Sequence, residues 1–569
     1  MAFQISPGVN YSEVDLTTVV PSVLTTAGAF AGTFKWGPAQ KRISVDSEIT
    51  LASKFGIPDS NSATSFFTAA SFLAYGNNLT VARAVGVNAR NARANTSGTA
   101  LQIANEDVFE AAYLTGSAGA TNGPIFARYA GALGNSLTVG SIDKGGTFSA
   151  WTVNGVSASP YFNGAPGTSS QATSAGAAND EIHIIVIDSG GLFTGVKNQV
   201  LEVFPYLSKG SDAVDSLGNS NYYKNVIYNN SKYIYAVDPL STDLAYSTWG
   251  RPLANTNYYN QGAATFVLYG GADDNPSTAN TQTAFGLFAN PDETDVSLVI
   301  TGDAALSTQQ YVIDNIAGSR KDCLAFISPP SANVVNQTGN ETTNISAWNT
   351  ALARSSSYTV ADSGWKYMFD KYNNVYRWVP LNGDIAGLCV YTDSVRDPWF
   401  SPAGFNRGNL KNVVKLAWNP TKTNRDTLYA QGVNPVGTFP GNGTVLYGDK
   451  TLQTKPSAFD RINVRRLFII LEKAISQAAK YSLFEFNDET TRAQFVGLVT
   501  PFLRDIQGRR GIYDFRVVCD TTNNTSQVID SNQFVGDIYI KPARSINFIQ
   551  LNFVAVRTGV DFTEVVGKF

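Results

Sequence analysis

Val296-Ser-Leu-Val-Ile300 and Cys323-Leu-Ala-Phe-Ile327 are two short apolar runs, and between them Ser307 to Ile316 carries apolar positions at helical spacing. Buried strand, helix and buried strand in that order make a βαβ unit, which requires a parallel sheet with helices laid on it. The turn after the first run has no Gly-x-Gly-x-x-Gly, and the acidic Asp303 of Thr301-Gly302-Asp303 opposes a bound phosphate. The unit is expected to build a core, not a nucleotide site.

Toward the N-terminus the layering recurs. Phe66, Ala70 and Leu73 lie at helical spacing after Asn61 and Ser62, and Leu79-Thr-Val-Ala-Arg83 reads as a strand. Between these layers the composition changes. Residues 96 to 200 are rich in Gly, Ser, Ala, Thr and Asn, with short apolar runs at Leu137-Thr-Val and Ile182 to Ile187, a pattern of short strands in a β-rich insertion. Residues 201 to 285 are rich in Tyr and Asn and broken by Gly270-Gly271 and Asn275-Pro276, which points to a second surface lobe.

Toward the C-terminus, Tyr358-Thr-Val and Val375-Tyr-Arg-Trp-Val379 flank the turn signal Lys371-Tyr-Asn-Asn374 and are expected to pair as a hairpin, ahead of a helix opening near Asn382-Gly-Asp384. Ile462, Phe468, Leu471, Ile475 and Ala478 share a helical face that Arg465 interrupts and that continues to Tyr481, about five turns in all. A second helix starts after Asn487-Asp488, buries Phe495, Leu498, Phe502 and Ile506, and stops at Gly508. Ile512 to Cys519, Phe534 to Ile540 and Ile546 to Val556 read as strands, the last with Ile549, Leu551, Phe553 and Ala555 on one face. The predicted fold class is multidomain α+β. Its expected parts are an extended arm at 1–20, a middle α/β domain from 21–95 with 286–400, the β-rich insertion at 96–200, the second lobe at 201–285, and a C-terminal core and arm at 401–569.

The 569 residues exceed what one hydrophobic core supports. Charged residues are only 15%, but apolar residues reach 43% and aromatics 12%, enough to fold. The net charge of −3 gives no general attraction to nucleic acid. One histidine, His183, rules out His-Cys and paired-His metal sites, and its place in a strand-like run marks it as structural. Cys323, Cys389 and Cys519 are odd in number and far apart, so no disulfide framework is encoded and a reducing compartment fits. No signal-peptide pattern opens the chain and no apolar stretch reaches membrane-span length, which predicts cytoplasmic assembly without membrane insertion. No P-loop, Gly-x-Ser-x-Gly elbow, zinc motif or EF-hand loop is present, so neither an enzyme nor a cofactor is expected.

Charge is divided unevenly. From Arg396 onward there are 9 Lys, 13 Arg, 11 Asp and 4 Glu, 22 − 15 = +7, which leaves −10 for the preceding 395 residues. The clusters Arg461, Arg465, Arg466 and Arg504, Arg509, Arg510 repel unless acceptors lie close, so carboxylates are expected beside them and an acidic partner beyond.

The first twenty residues pose a different problem. Val9, Tyr11 and Glu13 alternate as in a strand, yet no hairpin partner lies nearby in sequence. Burying Val9, Tyr11, Val14, Leu16, Val19 and Val20 returns less free energy than ordering the arm costs, so the arm needs a sheet edge elsewhere. Pairing with another subunit by β-augmentation supplies one, and Thr17 to Thr26 is then expected to act as a flexible linker.

Short motifs occur in order along the chain, first Ser6-Pro-Gly-Val-Asn-Tyr-Ser-Glu13 and Gly37-Pro38 with Phe55-Gly56. From about residue 380 they are denser: Pro398-Trp-Phe-Ser-Pro-Ala-Gly-Phe-Asn-Arg-Gly408, Leu428-Tyr with Gly432-Val-Asn-Pro435, Gly448-Asp-Lys-Thr-Leu452, Phe459-Asp-Arg-Ile-Asn-Val-Arg-Arg-Leu467, Leu483-Phe-Glu-Phe-Asn-Asp488, Asn523-Asn524 and Ile540-Lys-Pro-Ala543. The resemblance they carry is to the tail sheath proteins of contractile-tailed bacteriophages of the myovirus type. It implies a structural subunit of the virion tail, with an α/β-layered core built from both chain ends and protruding inserted domains. It also implies stacked hexameric rings around a tail tube, contraction that drives the tube through the host envelope, and baseplate and tail terminator proteins as further partners. Intersubunit strand exchange is expected at Val9, Tyr11, Glu13, Val14, Ile549, Leu551 and Phe553, and contact with the tube at Arg492, Arg504, Arg509 and Arg510. Two other readings remain open: the sheath of a bacterial contractile injection device, and a carbohydrate-binding or glycan-cleaving tail component using Asp273, Asp274 or Asp292.

Overall fold

The computed structural model describes residues 23–94, 101–114, 124–237, 248–547 and 549–551. Its centre is a seven-stranded sheet in the order Val433–Asn434, Thr359–Asp362, Leu324–Ile327, Leu298–Ile300, Gly28–Thr33, Leu79–Ala84 and Arg42–Val45. All neighbours are parallel except the edge pair, where Arg42–Val45 runs antiparallel to Leu79–Ala84. The βαβ unit sits at the middle of this sheet, with Gly28–Thr33 beside it in the register Ala29↔Val299.

Both faces of the sheet are covered, which is why its strands read as unbroken apolar runs. Phe30, Leu298, Ile300, Leu324 and Phe326 point to one face, against helices Ala63–Leu73 and Asn382–Val395. Ala29, Ala31, Ala82, Ala84 and Ala325 point to the other, and these small side chains let Phe285 and Phe288 pack against the sheet alongside Val312 and Ile316. Helix Ala63–Leu73 is capped from outside: Asp59 Oδ1 accepts from the amides of Asn61 and Ser62 at 3.0 and 2.9 Å.

The expected hairpin forms around Lys371–Asn374, but with a different first strand. Trp365–Asp370 pairs antiparallel with Val375–Pro380, while Thr359–Asp362 is a parallel strand of the central sheet. The turn is built locally: Asp370 Oδ1 accepts from the amides of Tyr372 and Asn373, and Asn374 adopts φ 54°. The central sheet also takes Val433–Asn434 from beyond residue 400, and helix Thr278–Gly286 packs on it from before residue 286.

A second, antiparallel sheet has the order Ala263–Val267, Leu137–Asp143, Glu181–Asp188, Gln199–Ser208. Gln199–Ser208 runs through the boundary expected at residue 200, and Ala263–Val267 of the expected second lobe joins the same sheet. A buried ion pair closes its end. Lys209 Nζ donates to Asp143 Oδ2 at 2.9 Å and to the carbonyls of Asn179 and Tyr259, so all three ammonium hydrogens are used.

His183 lies in this sheet. Its Nδ1 accepts from the Tyr206 amide at 3.0 Å, its Nε2 donates to Gly164 O at 2.8 Å, and the ring stacks on Phe162. That arrangement needs the neutral ring, and burial lowers the imidazole pKa below its ordinary 6.5. The unfolded chain therefore takes up the proton first as pH falls. Stability of this unit is expected to be constant above about pH 6.5 and to decline below it. Because His183 is the single histidine, the His183→Gln chain should lack the imidazole part of that slope. Urea unfolding midpoints between pH 7.5 and 5.5 for the two chains check this.

Candidate assembly surface

The C-terminal unit rests on two helices. Helix Ile462–Ala479 buries Ile462, Val464, Leu467 and Leu471. Helix Glu489–Gly508 is capped by Asp488, whose Oδ1 accepts from the Thr491 amide at 2.8 Å, and buries Phe495, Val499, Leu503 and Ile506. Against them lies the hairpin Ile512–Val518 with Asp537–Pro542, its inward side chains joining the same core. Among the described residues these two strands pair only with each other. Two strands make a marginal sheet, and their outer edges present backbone groups able to pair with further strands.

The arginines along the first helix are held by the expected acceptors. Arg465, the residue that interrupts the apolar face, stacks on Tyr358 and Phe459 at 4.4 and 4.5 Å and meets Glu472 at 3.2 Å. Arg466 makes a two-pronged pair with Asp393, Nη1 to Oδ1 at 2.8 Å and Nη2 to Oδ2 at 2.7 Å, with both side chains nearly excluded from water. This pair joins helix Ile462–Ala479 to helix Asn382–Val395 on the central sheet.

Both ends of the described chain are fastened to helix Ile462–Ala479. On the N-terminal side, Leu24 O accepts from Ser297 Oγ at 2.8 Å, Thr25 O faces Arg466 Nη2 at 3.5 Å, and Val23 packs beside Ala474 and Ala478. Residues Val23 to Thr25 of the expected flexible linker are thus held by the core. On the C-terminal side, Asp449 accepts from Ser545 Oγ at 2.7 Å and Asn547 Nδ2 at 3.0 Å, and Tyr429 Oη accepts from Asn547 Nδ2 at 2.9 Å. Asp449 O in turn accepts from the Ile462 amide at 2.8 Å, placing this latch at the start of the helix. The chain therefore arrives near one end of the helix and departs near the other, about 27 Å apart at 1.5 Å per residue.

Of the residues expected to exchange strands, Val9, Tyr11, Glu13, Val14 and Phe553 lie outside the described residues. Ile549 and Leu551 are described and are 77% and 71% exposed. The expected strand Ile546 to Val556 is not found over its described part, 546–547 and 549–551, where the chain has no ladder partner among the described residues. Its apolar side chains at Ile549 and Leu551 thus face water with no strand beside them among the described residues.

The four arginines expected at the tube do not act alike. Arg492 is buried, and its Nε and Nη2 donate to Asn487 Oδ1 and O at 2.8 and 2.9 Å, so it braces the start of its own helix. Arg509 forms an ion pair with Asp397, lies 3.6 Å from Asp505 and sits 5.1 Å over the Trp399 ring. Arg504 and Arg510 are exposed, and among the described residues no ion pair reaches either. The sequence reading gave Asp393, Tyr429 and Asp449 no role because their partners lie 73 and 96–118 positions away, although Tyr429 falls inside the Leu428-Tyr motif and Asp449 inside Gly448-Asp-Lys.

Asp273 Oδ1 and Asp274 Oδ2 accept from the amides of Ala132 and Asn88 at 2.9 and 2.8 Å, tying the loop at 273–274 to the loops around residues 132 and 88. No group of three or more metal-ligating side chains occurs among the described residues, and no described helix is long and apolar enough to cross a membrane.

Comparison with known proteins places this architecture. The phage tail sheath protein central domain matches residues 277–452, and the phage tail sheath C-terminal domain matches residues 454–555. The tail sheath protein of Vibrio phage KVP40 is 35% identical over 99% of this chain and 100% of its own. That of Enterobacteria phage T4 is 33% identical over 99% of each. In structure, the sheath tail protein Lin1278 of Listeria innocua superposes with a TM-score of 0.52 at 10% identity, over 93% of this chain and 97% of that one. The contracted helical sheath of the anti-feeding prophage gives 0.50 at 12% identity, over 97% and 99%. The chain belongs to the phage tail sheath family and is a structural subunit of a contractile tail.

Proposed function

We propose that this subunit polymerises in the host cytoplasm as stacked hexameric rings around a tail tube, between a baseplate and a tail terminator, and that the rings stay joined through contraction by exchanged strands. The observation that carries the proposal is the hairpin Ile512–Val518 with Asp537–Pro542, which has no third strand among the described residues and is flanked by two chain segments fixed at opposite ends of one helix. An arm with Val9, Tyr11, Glu13 and Val14 from one copy, and the tail with Ile549, Leu551 and Phe553 from another, would extend that hairpin to four strands. Backbone pairing of this kind survives rotation of the bodies it joins, so each subunit can move as a rigid unit while the lattice stays connected. Helical assembly of the anti-feeding prophage sheath, a structural relative, is consistent with this reading.

For the tube, the proposal assigns the exposed Arg504 and Arg510, which no ion pair reaches among the described residues, with Arg509 shared between Asp397 and the partner. Exposed pairs contribute about 0–1 kcal/mol each, so many copies hold register and still release during contraction. Arg504→Glu with Arg510→Glu is the clean variant, because reversing Arg509 also breaks its contacts to Asp397 and Trp399. Mixed with purified tubes, the double variant is expected to lose sheath assembly at physiological salt while its circular dichroism is unchanged. Assembly equal to that of the parent chain would refute the tube contact.

A further inference from the structure

The loop 480–488 between the two C-terminal helices turns four large apolar side chains into solvent: Tyr481 81%, Leu483 62%, Phe484 106% and Phe486 84% exposed. Phe484 holds φ 71°, a left-handed conformation that aromatic residues seldom adopt. The loop is nonetheless fixed from within. Asn487 Nδ2 donates to Asn524 Oδ1 and Gln533 O, and the Asp488 amide donates to Phe486 O at 2.9 Å. Four exposed apolar side chains within six residues, on a held backbone, mark a surface that another segment covers.

The path of the chain says which segment. Thr25 O lies beside Arg466, Leu24 O beside Ser297, whose Oγ Lys473 Nζ also approaches, and Val23 beside Ala474 and Ala478. Followed backward from residue 25, the chain therefore runs along helix Ile462–Ala479 toward its C-terminal end, and the exposed loop begins two residues beyond that end with Tyr481. Residues 16–20, outside the described residues, read Leu16-Thr-Thr-Val-Val20, uncharged, and Pro21 biases Val20 to an extended conformation. Five extended residues span about 16 Å, enough to cross the loop.

We infer that Leu16–Val20 of the same chain packs on Tyr481, Leu483, Phe484 and Phe486, forming a bracket from which the rest of the N-terminal arm departs. This packing lies within one protomer, so it holds whether or not the arm beyond it is exchanged. With Val9 to Val14 exchanged and Leu16 to Val20 held, the pivot between neighbouring subunits then falls at Asp15.

Disulfide trapping in the full-length chain tests it. The native thiols Cys323, Cys389 and Cys519 are buried, and burial pushes Cys323 and Cys389 up to about 12, so they stay out of mild oxidation. Val20→Cys with Leu483→Cys is expected to close within one chain, both in dilute monomer and in polymer, as read by mass spectrometry of the linked peptide. A link found only between chains, or no link while the control pair Val23→Cys with Ala478→Cys closes, overturns the proposal. As a second readout, Val19→Ser with Val20→Ser should raise the maleimide labelling rate of Leu483→Cys at least tenfold, and an unchanged rate also overturns it.

Discussion

Replacing Asp393 by alanine is expected to destabilise the folded chain by about 3–5 kcal/mol, the usual cost of removing one partner from a buried ion pair. The side chains of Arg466 and Asp393 are only 4% and 6% exposed, so water cannot replace the lost carboxylate. The carbonyls of Cys389 and Pro398, at 3.3 and 3.4 Å from Arg466 Nη1, are long contacts that compensate little. The pair joins the central sheet's helix Asn382–Val395 to helix Ile462–Ala479, so its loss should loosen the C-terminal unit first. Chemical unfolding followed at that unit checks the size. Asp393→Leu with Arg466→Met, which removes both charges and keeps volume, should recover most of the loss; a double variant as unstable as Asp393→Ala would show that packing, not the stranded charge, sets the cost.

The other large effect concerns assembly. A chain without residues 1–15 loses Val9, Tyr11, Glu13 and Val14 but keeps Leu16–Val20 and every contact that fastens Val23 to Thr25. It is expected to remain a folded monomer, with the thermal midpoint of the parent chain, and to form no cylinders. The reason is geometric. The hairpin Ile512–Val518 with Asp537–Pro542 has only its own two strands among the described residues, and a subunit lacking the arm cannot extend that hairpin in its neighbour. Negative-stain microscopy and sedimentation of the two chains under identical conditions read the outcome, and wild-type cylinders from the shortened chain would refute strand exchange.

Much of the core was legible. The βαβ unit at 296–327 carries its pattern in two apolar runs buried on both faces, and helix Glu489–Gly508 announces itself through Asp488, its apolar spacing and Gly508. The hairpin was read with the wrong first strand for a physical reason: Trp365–Asp370 contains Lys366, which is buried against Asp384 at 2.8 Å, so a core strand shows a charged residue where the pattern calls for an apolar one. The inserted sheet was split in two because Ala263–Val267 pairs with Leu137–Asp143 across more than a hundred residues, and no local signal reports such a pairing. The arginine clusters predicted nearby carboxylates, but the spacing along a helix could not say that Arg466 reaches Asp393 or that Arg492 turns back on its own helix.

The most direct test is a density map of the assembled polymer in which residues 6–22 and 545–569 are traced from the fastened points at Val23 and Asn547. The account predicts that Val9 to Val14 lies in a β-ladder with the C-terminal hairpin of a different protomer, with the segment around Ile549 to Phe553 adding to the same sheet from another copy. Both ends folded onto the protomer they belong to, with each C-terminal hairpin completed from within, would contradict it.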